Sequence, residues 1–290
     1  MISSLIVQPF ITGLMLSINY ILVALGLVLI FGIVNIFQFS HGTIYMVGGF
    51  VTFVVFGQLG LNYFLSLIIA IIFVGLLGVV IELGLLRYSK SPDVDVVITL
   101  GIILILQQAA QLVFGVNPQK VPSVVEGSLF IFGASISYER SLAIGLGIVV
   151  LIALFMYMRK TRDGQAMIAS AQNATGAALV GIHIGRMRVQ AMFIGSGLAG
   201  AAGAIIAPIF FIDPYMWLTP LNKALSVLAV GGLGSIPGAV GAGFIIGMIN
   251  SYGSRLLNIP VATIINFLIV MVILVVRPTG LAGRRTYIET

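Results

Sequence analysis

The chain has 290 residues, of which 60% are hydrophobic and 8% are charged, with a formal net charge of +6. Soluble domains carry about 25% charged residues, so this composition excludes a soluble enzyme, a nucleic-acid-binding domain and a disordered chain. The first 81 residues contain no Asp, Glu, Lys or Arg. We therefore expect an integral membrane protein whose positive charge sets its orientation in the bilayer.

Apolar runs predict the membrane spans, because a spanning helix needs about 20 mostly apolar residues. In chain order they lie near 10–34, 42–58, 63–86, 94–114, 141–158, 188–210, 220–236, 238–254 and 258–276. The second run is short and interrupted by glycine, and the seventh continues into a glycine-rich stretch. We predict an all-α polytopic membrane protein with eight or nine transmembrane helices, forming a single domain over residues 1–290.

Two loops are long enough to matter, an external one at 115–140 and a cytoplasmic one at 159–187. We place the C-terminus and the 159–187 loop in the cytoplasm and alternate the spans. Ten of the 14 Lys and Arg then lie on the cytoplasmic side, as the positive-inside rule requires. The uncharged N-terminal third leaves the side of Met1 open. The ten cations are Arg87, Lys90, Arg159, Lys160, Arg162, Arg186, Arg188, Arg277, Arg284 and Arg285; Lys120, Arg140, Lys223 and Arg255 are outside.

Neither metal chemistry nor a built-in energy source is evident. The chain has no cysteine and two histidines, so we predict no metal site and no catalytic residue. Glu82 is the one acid inside an apolar run, and we interpret it as an interfacial residue that either snorkels or pairs with Arg87. A proton-driven carrier is thus disfavoured, while sodium coupling through backbone carbonyls stays open. No phosphate-binding loop is present, so a separate subunit must hydrolyse any ATP.

The 159–187 loop predicts one helix over 165–180, with Asp163 as its N-cap and Gly181 as its stop. Its small and apolar side chains favour docking to a partner. The alternative is a helix lying against the membrane or against its own bundle. The residues assigned to the contact are Asp163, Met167, Ala171, Thr175, Ala178, Leu179, Val180, Gly181 and Ile182.

Four motifs in order resemble the high-affinity branched-chain amino acid ABC importer permeases of the LivH type, a binding-protein-dependent transport family. The first is the run Gly26 to Gly42, followed by Tyr45-Met46-Val47-Gly48-Gly49. The second is Leu179-Val180-Gly181-Ile182 with Gly197-Leu198-Ala199-Gly200. The others are Gly231 to Ala239 and the closing Val276 to Leu281. The sequence departs from the family at Asn173–Ala178, where charged residues are usual, and at Gln38-Phe39-Ser40.

The resemblance implies a multi-pass permease of the prokaryotic inner (plasma) membrane that moves branched-chain or related amino acids, small amides or urea. It implies four partner types: two cytoplasmic ABC ATPase subunits, a second permease chain (a copy or a sister), an external binding protein and the bilayer. ATP and Mg would bind to the ATPases, and this chain would bind no cofactor. The alternative from another class is a partner-independent sodium-coupled carrier or channel.

Candidate pathway residues are polar groups and breaks in helices, with short or broken helices expected near the middle of the pathway. For each group a structural alternative stays open: His41 stiffening a turn, glutamines joining helices, and the Gly231 stretch forming a plain turn. We interpret Trp217 as an interfacial anchor, with Asp213 and Lys223 near the outer face. The candidates are Asn35, Gln38, Ser40, His41, Thr43, Tyr45, Gln107, Gln108, Gln111, Gly231, Gly232, Gly234, Ser235 and Pro237.

Overall fold

The computed structural model describes residues 2–131 and 134–282. Within these residues the chain is mainly helical, with a π-helical turn (Phe53–Gln58), a 3-10 turn (Leu86–Tyr88) and one antiparallel hairpin of β1 (Ser128–Ile131) and β2 (Ala134–Ser137). The helices are α1 (Ile2–Val34), α2 (His41–Thr52), α3 (Tyr63–Gly84), α4 (Pro92–Phe114), α5 (Tyr138–Lys160), α6 (Arg162–Gln172), α7 (Ala174–Leu179), α8 (Ile184–Ile206), α9 (Leu218–Gly231), α10 (Ile236–Leu256) and α11 (Ile259–Val276).

Six of the described helices are long and apolar enough to cross a membrane, namely α1, α3, α4, α5, α8 and α11. The predicted all-α polytopic class is confirmed, with the small hairpin in the 115–140 loop as an addition. The runs 42–58, 220–236 and 238–254 correspond to α2 with its π-helical turn, to α9 and to α10. The total of eight or nine spans stays a prediction.

The centre of the bundle is the crossing of α1 and α8, both of which are largely buried. A side chain at Gly26 would collide with the Gly195 carbonyl, and one at Gly48 would collide with the backbone of Gly200. Small residues allow such close approach where no hydrophobic effect drives helices together. Gly195 and Gly200 therefore serve the close packing of α8 on its neighbours.

The helices α1–α4 and α8–α11 form two matching halves. Helix α1 packs against α10 in the same way as α8 packs against α3. The contacts match in detail, since Ser17 of α1 lies against Gly247 and Ser196 of α8 lies against Gly78. Internal repeats of this kind are common in transporters, and this one was not predicted from the sequence.

The two ends of the bundle are defined by long-range contacts. At one end, called the hairpin end, Arg140 Nη1 at the start of α5 donates to Thr12 Oγ1 (2.9 Å), and Ser251 Oγ of α10 donates to the Pro9 carbonyl (2.7 Å). At the other, called the α6 end, Gly32 of α1 faces Ala171 of α6. Helix α1 therefore runs from the hairpin end to the α6 end.

Two short helices, α2 and α9, begin inside the bundle. His41 opens α2 and bonds to the carbonyl of Val23, which lies about 16 Å before the end of α1 at Val34, at 1.5 Å per residue. Gly42 lies against the Trp217 carbonyl and Leu221, in the first turn of α9. Because the hydrocarbon core is about 30 Å thick, the starts of α2 and α9 meet near mid-depth.

Candidate functional site

The segment that leads into α2 turns the chain back into the bundle. Asn35 ends α1 with a φ of +60°, in the left-handed region that asparagine tolerates better than most residues, and its N–H bonds to the Phe31 carbonyl. Asn35 itself is exposed. Gln38, three residues on, is 1% exposed, and neither of its amide atoms has a hydrogen-bond partner among the described residues. The segment therefore carries a buried polar group into an apolar core.

The first turn of α2 adds further polar atoms at the same place. Ser40, at the N-cap position, makes no capping bond, and its hydroxyl has no partner within the described residues, although its carbonyl accepts from the Thr43 hydroxyl (2.8 Å). His41 bonds through Nε2 to the Val23 carbonyl (3.1 Å), so Nδ1 is a bare acceptor, also unpartnered in the described part. Tyr45, one turn on, is buried.

These groups form a polar cluster of Gln38, Ser40 and His41 at the meeting point of α2 and α9. A buried polar atom without a partner lowers the free energy of unfolding by about 1–3 kcal/mol, so the cluster destabilises the fold unless water or a solute enters. The first N–H groups of a helix also lack partners and carry partial positive charge. The cluster thus offers donors and acceptors to a small polar solute. Substrate contact by the predicted residues 35–45 stays a prediction.

The glutamines of α4 separate into two sets. Gln107 accepts from the Trp217 indole N–H (2.8 Å) and is half-buried, as is Gln111, on the face where Phe114 stacks on Phe50 at 4.4 Å. Gln108 is exposed. Gln107 therefore points into the protein, as a glutamine that joins two helices would.

Trp217 does not lie where an anchor at the outer interface would. Its side chain joins α9 to α4, and its backbone packs on α2 near mid-depth. Lys223 is 6% exposed and lies six residues further along α9. Because α9 begins near mid-depth, the expected place of Lys223 near the outer face is wrong. A window of residues cannot show how deep a helix starts, because depth depends on the helix it packs against.

The glycine-rich stretch after α9 is the turn between α9 and α10. Gly232 and Gly234 adopt positive φ values of 97° and 75°, and Ser235 Oγ caps α10 by accepting from the Gly238 N–H (3.2 Å), with Pro237 in the first turn. A side chain at Gly231 would collide with Gly238. The C-terminal segment docks here, since Leu281 N–H donates to the Val230 carbonyl (2.7 Å). The stretch lies beside the end of α11, away from the α2–α9 meeting point.

The 159–187 loop contains two helices instead of the one predicted. Asn173 separates them and caps α7 by accepting from the Gly176 N–H (2.8 Å). The predicted Asp163 N-cap is wrong, because Thr161 caps α6 by accepting from Gly164 N–H. The Gly181 stop is confirmed, with a φ of +87° just beyond α7.

The predicted contact residues of this loop divide between the two helices. On α6, Met167 is fully buried, and Asp163 accepts from Arg186 and Gln190 of α8, both at 3.0 Å. Beyond them the surface opens, with Leu179 84% and Val180 78% exposed. Ala171, Thr175, Ala178 and Gly181 are also exposed, and Ile182 is half-buried.

One ion pair at the α6 end was missed by the sequence analysis. Glu82 of α3 is 2% exposed and accepts from Arg188 Nε of α8 at 2.8 Å, so the predicted pairing with Arg87 is wrong. Arg188 and Arg186 place two cations at the start of α8, one holding α3 and the other holding α6. The two arginines were the signal available in the sequence, but their acidic partners, Asp163 and Glu82, lie more than 20 residues away.

Comparison with known proteins identifies relatives along almost the whole chain. The family model described as "Branched-chain amino acid transport system / permease component" matches residues 10–276. The high-affinity branched-chain amino acid transport system permease protein LivH of Escherichia coli (strain K12) is 28% identical over 96% of this chain and 95% of its own length. BraD of Pseudomonas aeruginosa, a permease protein of the same description, is 26% identical over the same shares.

A relative from a third organism has a similar description. The probable branched-chain amino acid transport permease protein LivH of Methanocaldococcus jannaschii is 27% identical over 91% of this chain and 88% of its own. The solved structure of PsaBC from Streptococcus pneumoniae in complex with Fab matches over 89% of both chains at 14% identity and a TM-score of 0.45. The family match over residues 10–276 shows that this chain belongs to the permease components of branched-chain amino acid transport systems.

Proposed function

We propose that the chain is the transmembrane permease subunit of an ATP-driven ABC importer for branched-chain or related amino acids. The observation that carries this proposal is the family match over residues 10–276, with relatives of nearly the same length described as amino acid permeases. The polar cluster at the α2–α9 meeting point and the exposed tip of α7 support it.

The energy comes from outside this chain. Two cytoplasmic ATPase subunits would bind ATP with Mg and contact the exposed surface of α7 and Leu179–Val180. Apolar side chains exposed to water favour a partner. The absence of acids on this tip means that docking depends on shape and apolar contact. Motion would pass through Asp163 and Glu82, since both are bonded to α8.

Orientation follows from the α6 end, where Arg159, Lys160, Arg162, Arg186 and Arg188 gather. The positive-inside rule places this end in the cytoplasm of a prokaryotic cell. The C-terminal segment docks at the α9–α10 turn on the same side, so it is also cytoplasmic. The hairpin end and the start of α1 then face outward, where a binding protein would deliver substrate to this chain and a second permease chain.

Alternating access would act on the mid-depth meeting of α2 and α9. Half-length helices around a polar site are the usual way in which transporters expose substrate to each side in turn. Gln38, Ser40 and His41 supply the unpartnered polar atoms there. Non-helical backbone at this depth is tolerated only where it is buried in protein or lines a watery cavity.

The test is uptake into proteoliposomes that contain the chain with its co-encoded subunits. We expect external leucine to be concentrated only when the binding protein and ATP on the ATPase side are both present, and isoleucine and valine to compete better than urea or acetamide. Accumulation by the chain alone in a sodium gradient would overturn the proposal in favour of a carrier. Better competition by urea would overturn the substrate assignment while leaving the ATP dependence in place.

A further inference from the structure

A cavity of about 280 Å³ opens at the hairpin end, where α1, α5, α10 and α11 meet. Its lining includes two arginines, Arg140 at the start of α5 and Arg255 in the last turn of α10, and no acidic residue. It lies apart from the polar cluster of α2 and from the α6 end. Half of the four cations expected outside thus converge on one cavity.

The guanidinium groups have most of their hydrogen-bonding capacity free. Arg140 donates from Nη1 to Thr12, and Arg255 makes no hydrogen bond or ion pair within residues 2–131 and 134–282. The neighbouring acid, Glu139, turns away and accepts from the Ser123 hydroxyl and the Val124 N–H. Each guanidinium carries five N–H donors and no acceptor, so the cavity is rich in donors and unbalanced in charge.

Two like charges at one cavity repel each other unless an anion lies between them. The position of Arg140 adds to the imbalance, because the first turn of a helix disfavours a cation. Ser251 and Ser254 donate their hydroxyl protons to backbone carbonyls, which leaves the arginines, the Gln8 amide and the Thr12 hydroxyl as the donors that can meet a ligand. The site is built for an anion with several acceptor oxygens.

We propose that this cavity binds the phosphodiester headgroup of an anionic phospholipid. Arginine holds phosphate oxygens in bidentate pairs, and the cavity lies at the helix ends, where headgroups border the hydrocarbon core. Ile259 at its rim is 71% exposed and begins α11, on which Phe267 and Leu268 are about half exposed. An acyl chain would extend along α11.

The experiment is a thermal-unfolding titration of the purified full chain in neutral detergent. The three probes are phosphatidylglycerol, phosphatidylcholine of the same acyl chains, and inorganic phosphate. We expect phosphatidylglycerol to raise Tm saturably and the other two to have little effect. In the Arg140→Gln/Arg255→Gln variant, the apparent Kd for phosphatidylglycerol should rise at least about tenfold, whereas Lys120→Gln, which removes an exposed cation away from the cavity, should match the unmodified chain.

Each contrary outcome has a clear meaning. Equal stabilisation by the two lipids would overturn the proposal, as would an unchanged Kd in the double variant. Stabilisation by phosphate at the same concentrations would identify a free-anion site and overturn the lipid assignment. If the double variant does not fold, Arg255→Gln alone decides, since Arg255 is exposed and not bonded within the described residues; a Kd that does not rise would contradict the proposal.

Discussion

Helices α6 and α7 are neighbours in one loop and yet have opposite surroundings. Helix α6 buries Met167 completely and is tied to α8 through Asp163. The end of α7 leaves Leu179 and Val180 more exposed than almost any other apolar residue described in the chain. The loop therefore has a fixed part, helix α6, and a presented part, the exposed end of α7 with Leu179 and Val180. Motion applied to the presented part reaches the bundle through the fixed part.

The reason for the difference lies in the sequence of each helix. Helix α6 places Gly164, Met167 and Ser170 on one face at three-residue spacing, and all three are buried, as expected for an amphipathic helix. In α7 the one buried residue is Ala177. A six-residue helix with so small a buried face cannot be held by packing alone.

The largest expected effect is the loss of partner binding when the presented part becomes charged. The Leu179→Asp/Val180→Asp variant should weaken association with the ATPase subunits about 1,000-fold. Both side chains would become buried on binding, and each would then contribute about 2 kcal/mol or more to the binding free energy. Pull-down titration measures it. Its Tm should stay close to that of the unmodified chain, since neither side chain packs within it.

The control is Gln165→Asp, an exposed residue of α6. It places a negative charge in the fixed part and should leave association unchanged. Equal losses in both variants would remove the distinction between the two helices.

An intermediate effect is expected in the fixed part. Met167→Ala removes a fully buried side chain, and such truncations lower the free energy of unfolding by about 2–5 kcal/mol. Denaturant unfolding in mixed micelles measures it. Once folded, the variant should still bind the ATPases, and a loss of binding without a loss of stability would contradict the assignment of Met167 as an anchor.

The smallest effect is expected at the ion pair between α6 and α8. Asp163 and Arg186 are 40% and 65% exposed, so solvent screens them and Asp163→Asn should cost less than about 1 kcal/mol. The cost should shrink further in high salt. A loss of several kcal/mol would show that α6 is held by this pair and not by the packing of Met167.

Sequence predicted the parts of this molecule that depend on local composition. The charge-free first third and the long apolar runs gave the class and the positions of the long helices. The Gly181 stop and the packing role of Gly195 and Gly200 were also predictable, because each follows from what glycine alone allows.

The predictions that failed concern contacts between residues that are far apart in the sequence. Gly42 meets Trp217, and Glu82 meets Arg188, across more than 100 residues of chain. The depth at which α2 and α9 begin follows from such contacts and not from any window of sequence. The break at Asn173 was missed because a run of alanines continued the helical pattern on both sides, although the Asn side chain competes for backbone N–H groups.

The most direct test is site-specific cross-linking, which needs no background substitution because the chain has no cysteine. Val180→Cys and Gln165→Cys would each carry a short photoactivatable cross-linker in membranes that contain the co-encoded subunits. The account predicts that Val180→Cys joins an ATPase subunit in high yield and Gln165→Cys does so at background level. Equal yields, or no ATPase adduct at Val180→Cys, would contradict the claim that this tip receives the force of a separate ATPase.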